Sequence, residues 1–227
     1  MNPALANLLR QEIADYQNFR RDTGYQPPNW ILPGPSCALL KKICALSTPP
    51  IQAFEFGSGR STIALRSVCA GVTSVEDSDE WLATTEGLAS EFPKRDTDFT
   101  AVVPLTACPL GLFTCKSFDL DSRPELLGRL QQSHLILVDS PPNPATREHA
   151  LILALRHAPI GAIIILDDLE IRATSNFAAR LARDNLSAFD YVTVPIDHHL
   201  GLFEKCSQSK LVLRPSLREI LGAWLRS

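Results

Sequence analysis

No apolar run in this chain approaches the length of a membrane span. The longest strongly apolar stretch centres on residues 163–166, against the roughly 20 residues that a bilayer crossing needs. Residues 1–13 include Arg10 and Glu12 and lack the apolar core of a secretory leader. Charge of one sign is also missing. The 22 basic and 25 acidic residues leave a net charge of −3, which gives no bias toward nucleic acid or an anionic membrane. The six cysteines (Cys37, Cys44, Cys69, Cys108, Cys115 and Cys206) form no CxxC pair, so the short-spaced zinc signature is absent. A chain of 227 residues can build a core without disulfide staples, and buried free thiols are expected. There is no internal repeat and no low-complexity tract. These absences point to a cytoplasmic protein with neither nucleic acid nor membrane as a partner. What is present is ordinary globular composition, 45% hydrophobic and 21% charged, which excludes a disordered chain.

From residue 51 onward short apolar runs alternate with helical patterns, the mark of βαβ units around a parallel sheet. Strands are expected at 51–56, 72–76, 99–104, 134–139, 162–167, 191–196 and 200–205, with helices at 61–68, 79–91, 145–157 and 173–185. The runs HLILVD and AIIILD are nearly continuous apolar segments, as suits strands covered on both faces. The gap before 200–205 is too short for a crossover helix, so the last two strands should pair antiparallel. The expected fold class is α/β: a Rossmann-like, doubly wound, seven-stranded sheet, mostly parallel with its last strand antiparallel and helices on both faces. Residues 1–35 read as an N-terminal helix and a proline-rich connector, the helix packing on its own domain or serving as a lid or a homodimer arm. Residues 36–213 form the main domain. Residues 214–227 read as an amphipathic helix packed on it, with Leu217, Ile220, Leu221, Trp224 and Leu225 on one stripe. The stretch 105–132 shows no readable pattern.

The first strand runs into Glu55-Phe56-Gly57-Ser58-Gly59-Arg60-Ser61-Thr62. Glycines directly after a strand allow a sharp turn and close approach of a ligand to the backbone. Ser61 and Thr62 open a helix whose free N–H groups attract polar ligand groups. The third glycine of a dinucleotide fingerprint is missing, and an acid stands two residues before the first glycine. Such an acid does nothing for a pyrophosphate but suits a ligand carrying ammonium or sulfonium charge. Glu76 ends the second strand about 20 residues on, placed to accept hydrogen bonds from ribose hydroxyls, with Asp77 beside it. Turn and acid together read as a nucleoside site.

The segment resembles the class I S-adenosylmethionine-dependent methyltransferases. It is most similar to a small family with the signature FGSG-x-ST, VE-x-x-x-EW, VD-x-PP and IILDD, read here at 56–62, 75–81, 138–142 and 164–168. The resemblance covers about residues 30–205 and makes 36–213 a methyltransferase domain. It implies that Glu55, Gly57, Ser58 and Gly59 hold the methionine part of S-adenosylmethionine, that Glu76 holds the ribose, and that Asp77 neighbours the adenine. Arg60 stands where asparagine is common, and Ser140 where glycine is common.

Asp139 ends the fourth strand, and Asp167 and Asp168 end the fifth. Neighbouring strands lie about 4.8 Å apart, so three carboxylates should converge beside the cofactor site, where they raise one another's pKa. A hard divalent cation such as Mg²⁺ would relieve that repulsion. The arrangement is similar to the catechol O-methyltransferase group, with Asp168 in place of the usual asparagine. Asp139 is a catalytic candidate and a second cofactor contact. His198 and His199, in the turn before the last strand, are candidate general bases. Arg147 and Arg172 follow the acidic strand ends and could pair with them or bind an acidic substrate. The expected function is S-adenosylmethionine-dependent O-methylation of a small molecule or modified peptide, with Mg²⁺ assistance. The alternatives are a non-catalytic cofactor-binding relative and an NAD or nucleotide-sugar oxidoreductase. Glu55 and the lack of a Tyr-x-x-x-Lys pair count against the oxidoreductase.

Overall fold

The computed structural model describes residues 1–27, 32–47, 50–89, 92–110, 113–140 and 144–214. Two helices, α1 (Pro3–Thr23) and α2 (Gly34–Ala45), lead into β1 (Gln52–Phe56), α3 (Arg60–Arg66), β2 (Gly71–Glu76), α4 (Asp79–Leu88) and β3 (Phe99–Val102). Next come β4 (Leu105–Leu110), β5 (Phe113–Phe118), α5 (Pro124–Gln132), β6 (Leu135–Val138) and α6 (Pro144–His157). The described chain closes with β7 (Ile163–Leu166), α7 (Arg172–Asp184), β8 (Phe189–Val194) and β9 (Leu200–Lys205). A seven-stranded sheet has the order β3-β2-β1-β6-β7-β9-β8. The first five strands of that order pair in parallel, and β9 runs antiparallel to both β7 and β8. This is the expected seven-stranded, doubly wound α/β sheet with its last strand antiparallel.

The strands bury both faces, and the two-residue period of a strand divides them cleanly. Phe54, Phe56, Ile136, Val138, Ile164 and Leu166 point to a core shared with α5, α6 and α7. Ala53, Leu135, Leu137, Ile165 and Leu202 point the other way, toward α1, α2 and α3. Leu5, Leu9 and Tyr16 of α1 are buried in that second core beside Leu39, Leu40 and Ile43 of α2. The N-terminal helix therefore packs on its own domain. Asn2 caps it, accepting from the amide of Ala4 at 2.9 Å, and Gly24 ends it in the left-handed conformation with φ 67°.

Residues 105–132, unreadable in the sequence, form the antiparallel pair β4–β5 and the helix α5. The expected C-terminal helix and the two prolines of the VD-x-PP segment lie outside the described residues. No described helix is long and apolar enough to cross a membrane.

Candidate active site

The carboxyl ends of β1, β2, β6 and β7 open on one cleft of about 760 Å³. One end of it is built by the turn after β1. Gly57 has φ 106°, and a Cβ there would stand 2.8 Å from the Cβ of Ser140. The turn thus needs glycine for its backbone angle and for its fit against the tip of β6. Beneath the turn Glu55 is fully buried and accepts from Ser61 Oγ at 2.9 Å, Thr62 Oγ1 at 2.5 Å and Ser74 Oγ at 2.5 Å. Burial pushes its carboxyl up to about 7, while the three hydroxyls oppose that rise. Glu55 holds the start of α3 against β2 and does not line the cleft. Ser61 shares that buried position, and Gly59 ties the turn through its amide, which donates to Thr62 Oγ1 at 2.9 Å.

Glu76, the last residue of β2, does face the cleft. It accepts from Ser58 Oγ at 3.0 Å and from the amide of Asp77 at 2.9 Å. Burial raises its pKa, and the neighbouring Asp77 adds to the rise. Gly57, Ser58, Glu76, Asp77, Ser78 and Trp81 line this end. Trp81 donates through Nε1 to the carbonyl of Ser58 at 2.6 Å, so one indole edge clamps the glycine turn while its ring borders the cleft. Ser78 caps α4, accepting from the amide of Trp81 at 3.1 Å, and thereby sets the indole in place.

The other end is acidic. Val138 and Leu166 are register partners in the parallel pair β6–β7, which brings the acids that follow them together. Asp139, Asp167 and Asp168 each offer an oxygen within 4.8 Å of the others. Asp167 is buried, and its Oδ1 has no hydrogen-bond partner. Desolvation holds its carboxyl well above the usual range, and Asp139 and Asp168 push it further. Asp139 is raised mainly by desolvation, which the Arg147 guanidinium opposes. Arg147, buried on α6, donates to the carbonyl of Asp139 at 2.5 Å and forms an ion pair with Asp168. Asp168 has φ 62°, a left-handed angle that aspartate and asparagine tolerate better than other side chains with a Cβ. That turn carries the chain off β7 toward Glu170. His198 Nδ1 then stands 3.4 Å from Asp168 Oδ1 and 3.2 Å from Glu170 Oε1.

No protein-family model matches the chain, and no curated protein matches it at a significant level. Solved structures do match. The TomG O-methyltransferase of Streptomyces achromogenes, involved in tomaymycin synthesis and solved with S-adenosylmethionine, is 13% identical at a TM-score of 0.59. The match covers 86% of this chain and 90% of that one. An O-methyltransferase of Bacillus cereus in complex with S-adenosylhomocysteine is 13% identical at 0.56, covering 86% and 91%. An S-adenosylhomocysteine-bound methyltransferase of Podospora anserina is 14% identical at 0.54, covering 91% and 89%.

This is a methyltransferase fold. Within it, the residues singled out in the sequence divide into three groups. Gly57, Ser58, Glu76, Asp77, Asp139, Asp167, Asp168 and His198 line one cleft. Glu55 and Ser61 lie beneath the glycine turn and Gly59 closes it, and none of the three lines the cleft. His199 is exposed at φ 59° and is not among the residues lining the cleft, because successive side chains of a tight turn diverge. Arg172 is exposed at the start of α7. Leu32, Trp81, Glu170 and Ile171, to which the sequence alone gives no role, also line the cleft. For Glu170 a signal existed: the acidic run at the end of β7 continues as Asp167-Asp168-Leu169-Glu170.

Proposed function

We propose that this protein is an S-adenosylmethionine-dependent methyltransferase that methylates oxygen on a small molecule or modified peptide. We further propose that Asp139, Asp167 and Asp168 hold a divalent cation, Mg²⁺ in the first instance. One observation carries the reading: the glycine turn with its ribose-ready Glu76 and a cluster of three carboxylates open on the same cleft. Glu76 receives the ribose hydroxyls, Asp77 and Trp81 flank the adenine, and the backbone of Gly57 and Ser58 lies against the methionine part. The sulfonium is already a good leaving group, so the chain's task is to align acceptor oxygen, methyl carbon and sulfur.

The residues present fit a hard cation. The donors are all oxygen, they are mutually repelling, and Asp167 Oδ1 is buried with no partner, a costly arrangement for a charged group unless something binds it. When bound, such a cation supplies an acidified acceptor hydroxyl. Arg147 neutralises part of the cluster, pairing with one oxygen of Asp168 and standing 3.7 Å from Asp139 Oδ1, while Asp167 Oδ1 keeps no protein partner. A second reading rests on the position of His198 Nδ1 between Asp168 and Glu170: an imidazole oriented in this way can act as the base that takes the acceptor's proton.

Calorimetric titration with S-adenosylmethionine, with and without Mg²⁺ and with NAD as control ligand, tests the proposal. Micromolar binding of S-adenosylmethionine, about −8 kcal/mol, and no heat with NAD is the expected result. No binding of S-adenosylmethionine by folded protein would overturn the enzyme reading. Once an acceptor is in hand, loss of turnover in a chelator supports the cation, and full turnover in a chelator supports His198.

A further inference from the structure

We propose that Cys44 and Cys69 are an oxidative cross-link site, closing to a disulfide when the protein meets a peroxide. Cys44 lies in the last turn of α2, and Cys69 in the turn between α3 and β2. Their sulfurs are 3.4 Å apart, and the two residues are only 4% and 3% exposed. They are 25 positions apart in the chain, so packing of α2 on α3 brings them together. A disulfide needs the sulfurs at about 2.0 Å, so closure draws them together by about 1.4 Å. The backbone on the Cys69 side is held: its amide donates to the carbonyl of Leu65 at 2.8 Å, and its carbonyl accepts from Arg95 Nη1 at 2.9 Å. Among the other thiols, Cys37 donates to the carbonyl of Leu32 at 3.7 Å, and Cys108 to that of Ser117 at 3.8 Å. Cys206 is exposed and donates to Asp190 at 3.5 Å.

The two thiols are unequal. The hydrogen bond between them holds Cys44 below the ordinary thiol value and, together with burial, Cys69 above it. The thiol that accepts this hydrogen bond is the attacking sulfur, drawn here as Cys44. It takes one oxygen of hydrogen peroxide to give a sulfenic acid, and the other oxygen leaves as water. The sulfur of Cys69 then attacks the sulfenic sulfur, and a second water leaves. The balance is two thiols and one peroxide to one disulfide and two waters, with the thiols oxidised and the peroxide reduced. Burial restricts the reaction to an oxidant as small as peroxide. The ring that closes contains β1, the glycine turn and α3, so one bond would lock the whole cradle beneath the cofactor end of the cleft. This inference stands whether or not the chain is a methyltransferase.

Peptide mapping of the full chain tests it. Protein treated with hydrogen peroxide is unfolded with an alkylating agent present and digested with trypsin without reduction. The expected product joins peptide 43–60 to peptide 67–94, disappears on addition of dithiothreitol, and accompanies a rise of several degrees in Tm. The rise should be absent in Cys69→Ala and Cys44→Ala proteins. The wild-type map alone decides the matter if either variant fails to fold. Recovery of both peptides alkylated, or carrying sulfinic or sulfonic acids, overturns the proposal. So does a disulfide found only within peptide 96–116, which holds Cys108 and Cys115, or only on peptide 206–210, which holds Cys206.

Discussion

Glu55 has three hydroxyl donors and still titrates at about 7, because complete burial outweighs them. In the unfolded chain the same carboxyl has its ordinary value of 4.5. The folded state therefore keeps a proton that the unfolded state has lost, and stability falls as pH rises from the unfolded value through the folded one. The shift corresponds to about 3 kcal/mol lost between pH 4.5 and 7. A Glu55→Gln protein should show a flatter profile over that window, read from urea midpoints at pH 5 and 8. An unchanged slope would place the loss on other acids. Asp167 presents the opposite bargain. It has an unpartnered oxygen and two carboxylate neighbours. Asp167→Asn should raise Tm in chelator by about 2–8 °C, the shift expected for 1–2 kcal/mol in a domain of this size. The same change should abolish the Tm gain on adding Mg²⁺. A variant that is less stable in chelator would show that the repulsion is already relieved without an ion. Glu76→Ala should remove most S-adenosylmethionine affinity, at least tenfold by calorimetry, with little change in Tm.

Among the elements, the turn from β8 to β9 is tied to the N-terminal segment through one carboxylate. Asp197 accepts from both the amide and Oγ of Ser36, at 2.8 and 2.6 Å, across 161 positions of chain. Tyr16 of α1 is buried close by, its phenol pushed up by desolvation. Asp197→Ala leaves the buried amide of Ser36 without its acceptor. It should cost about 2–4 kcal/mol and raise protease sensitivity at α1, which limited proteolysis reads directly. This tie was not legible in the sequence, because nothing local marks Ser36 and Asp197 as partners. The acids at strand tips were legible, because a parallel sheet puts successive carboxyl ends at one edge whatever the intervening chain does. The β4–β5 pair was not. Leu105, Thr106, Ala107 and Pro109 are partly or fully exposed, so no apolar alternation survives, and a proline inside a strand argues against the assignment. His198 and His199 looked equivalent as neighbours in one turn, and only the backbone angles separate them.

For the whole molecule, a cation bridging the tips of β6 and β7 should couple ligand binding to global stability. Raising Mg²⁺ from zero to a hundredfold over its dissociation constant should add about 2.7 kcal/mol, and a chelator should reverse it. A Tm indifferent to Mg²⁺ would count against the three-carboxylate site. The strand order carries a different consequence. Because β9 pairs with β7 on one side and β8 on the other, the edge of β7 has no partner until residues 200–205 have been made. A ribosome-bound chain that has just released β7 exposes the run Ile163–Leu166 as an open, apolar edge, the kind that recruits strands from other molecules. Synthesis paused between β7 and β9 should therefore yield aggregation-prone or chaperone-bound chains, and release of β9 should rescue them.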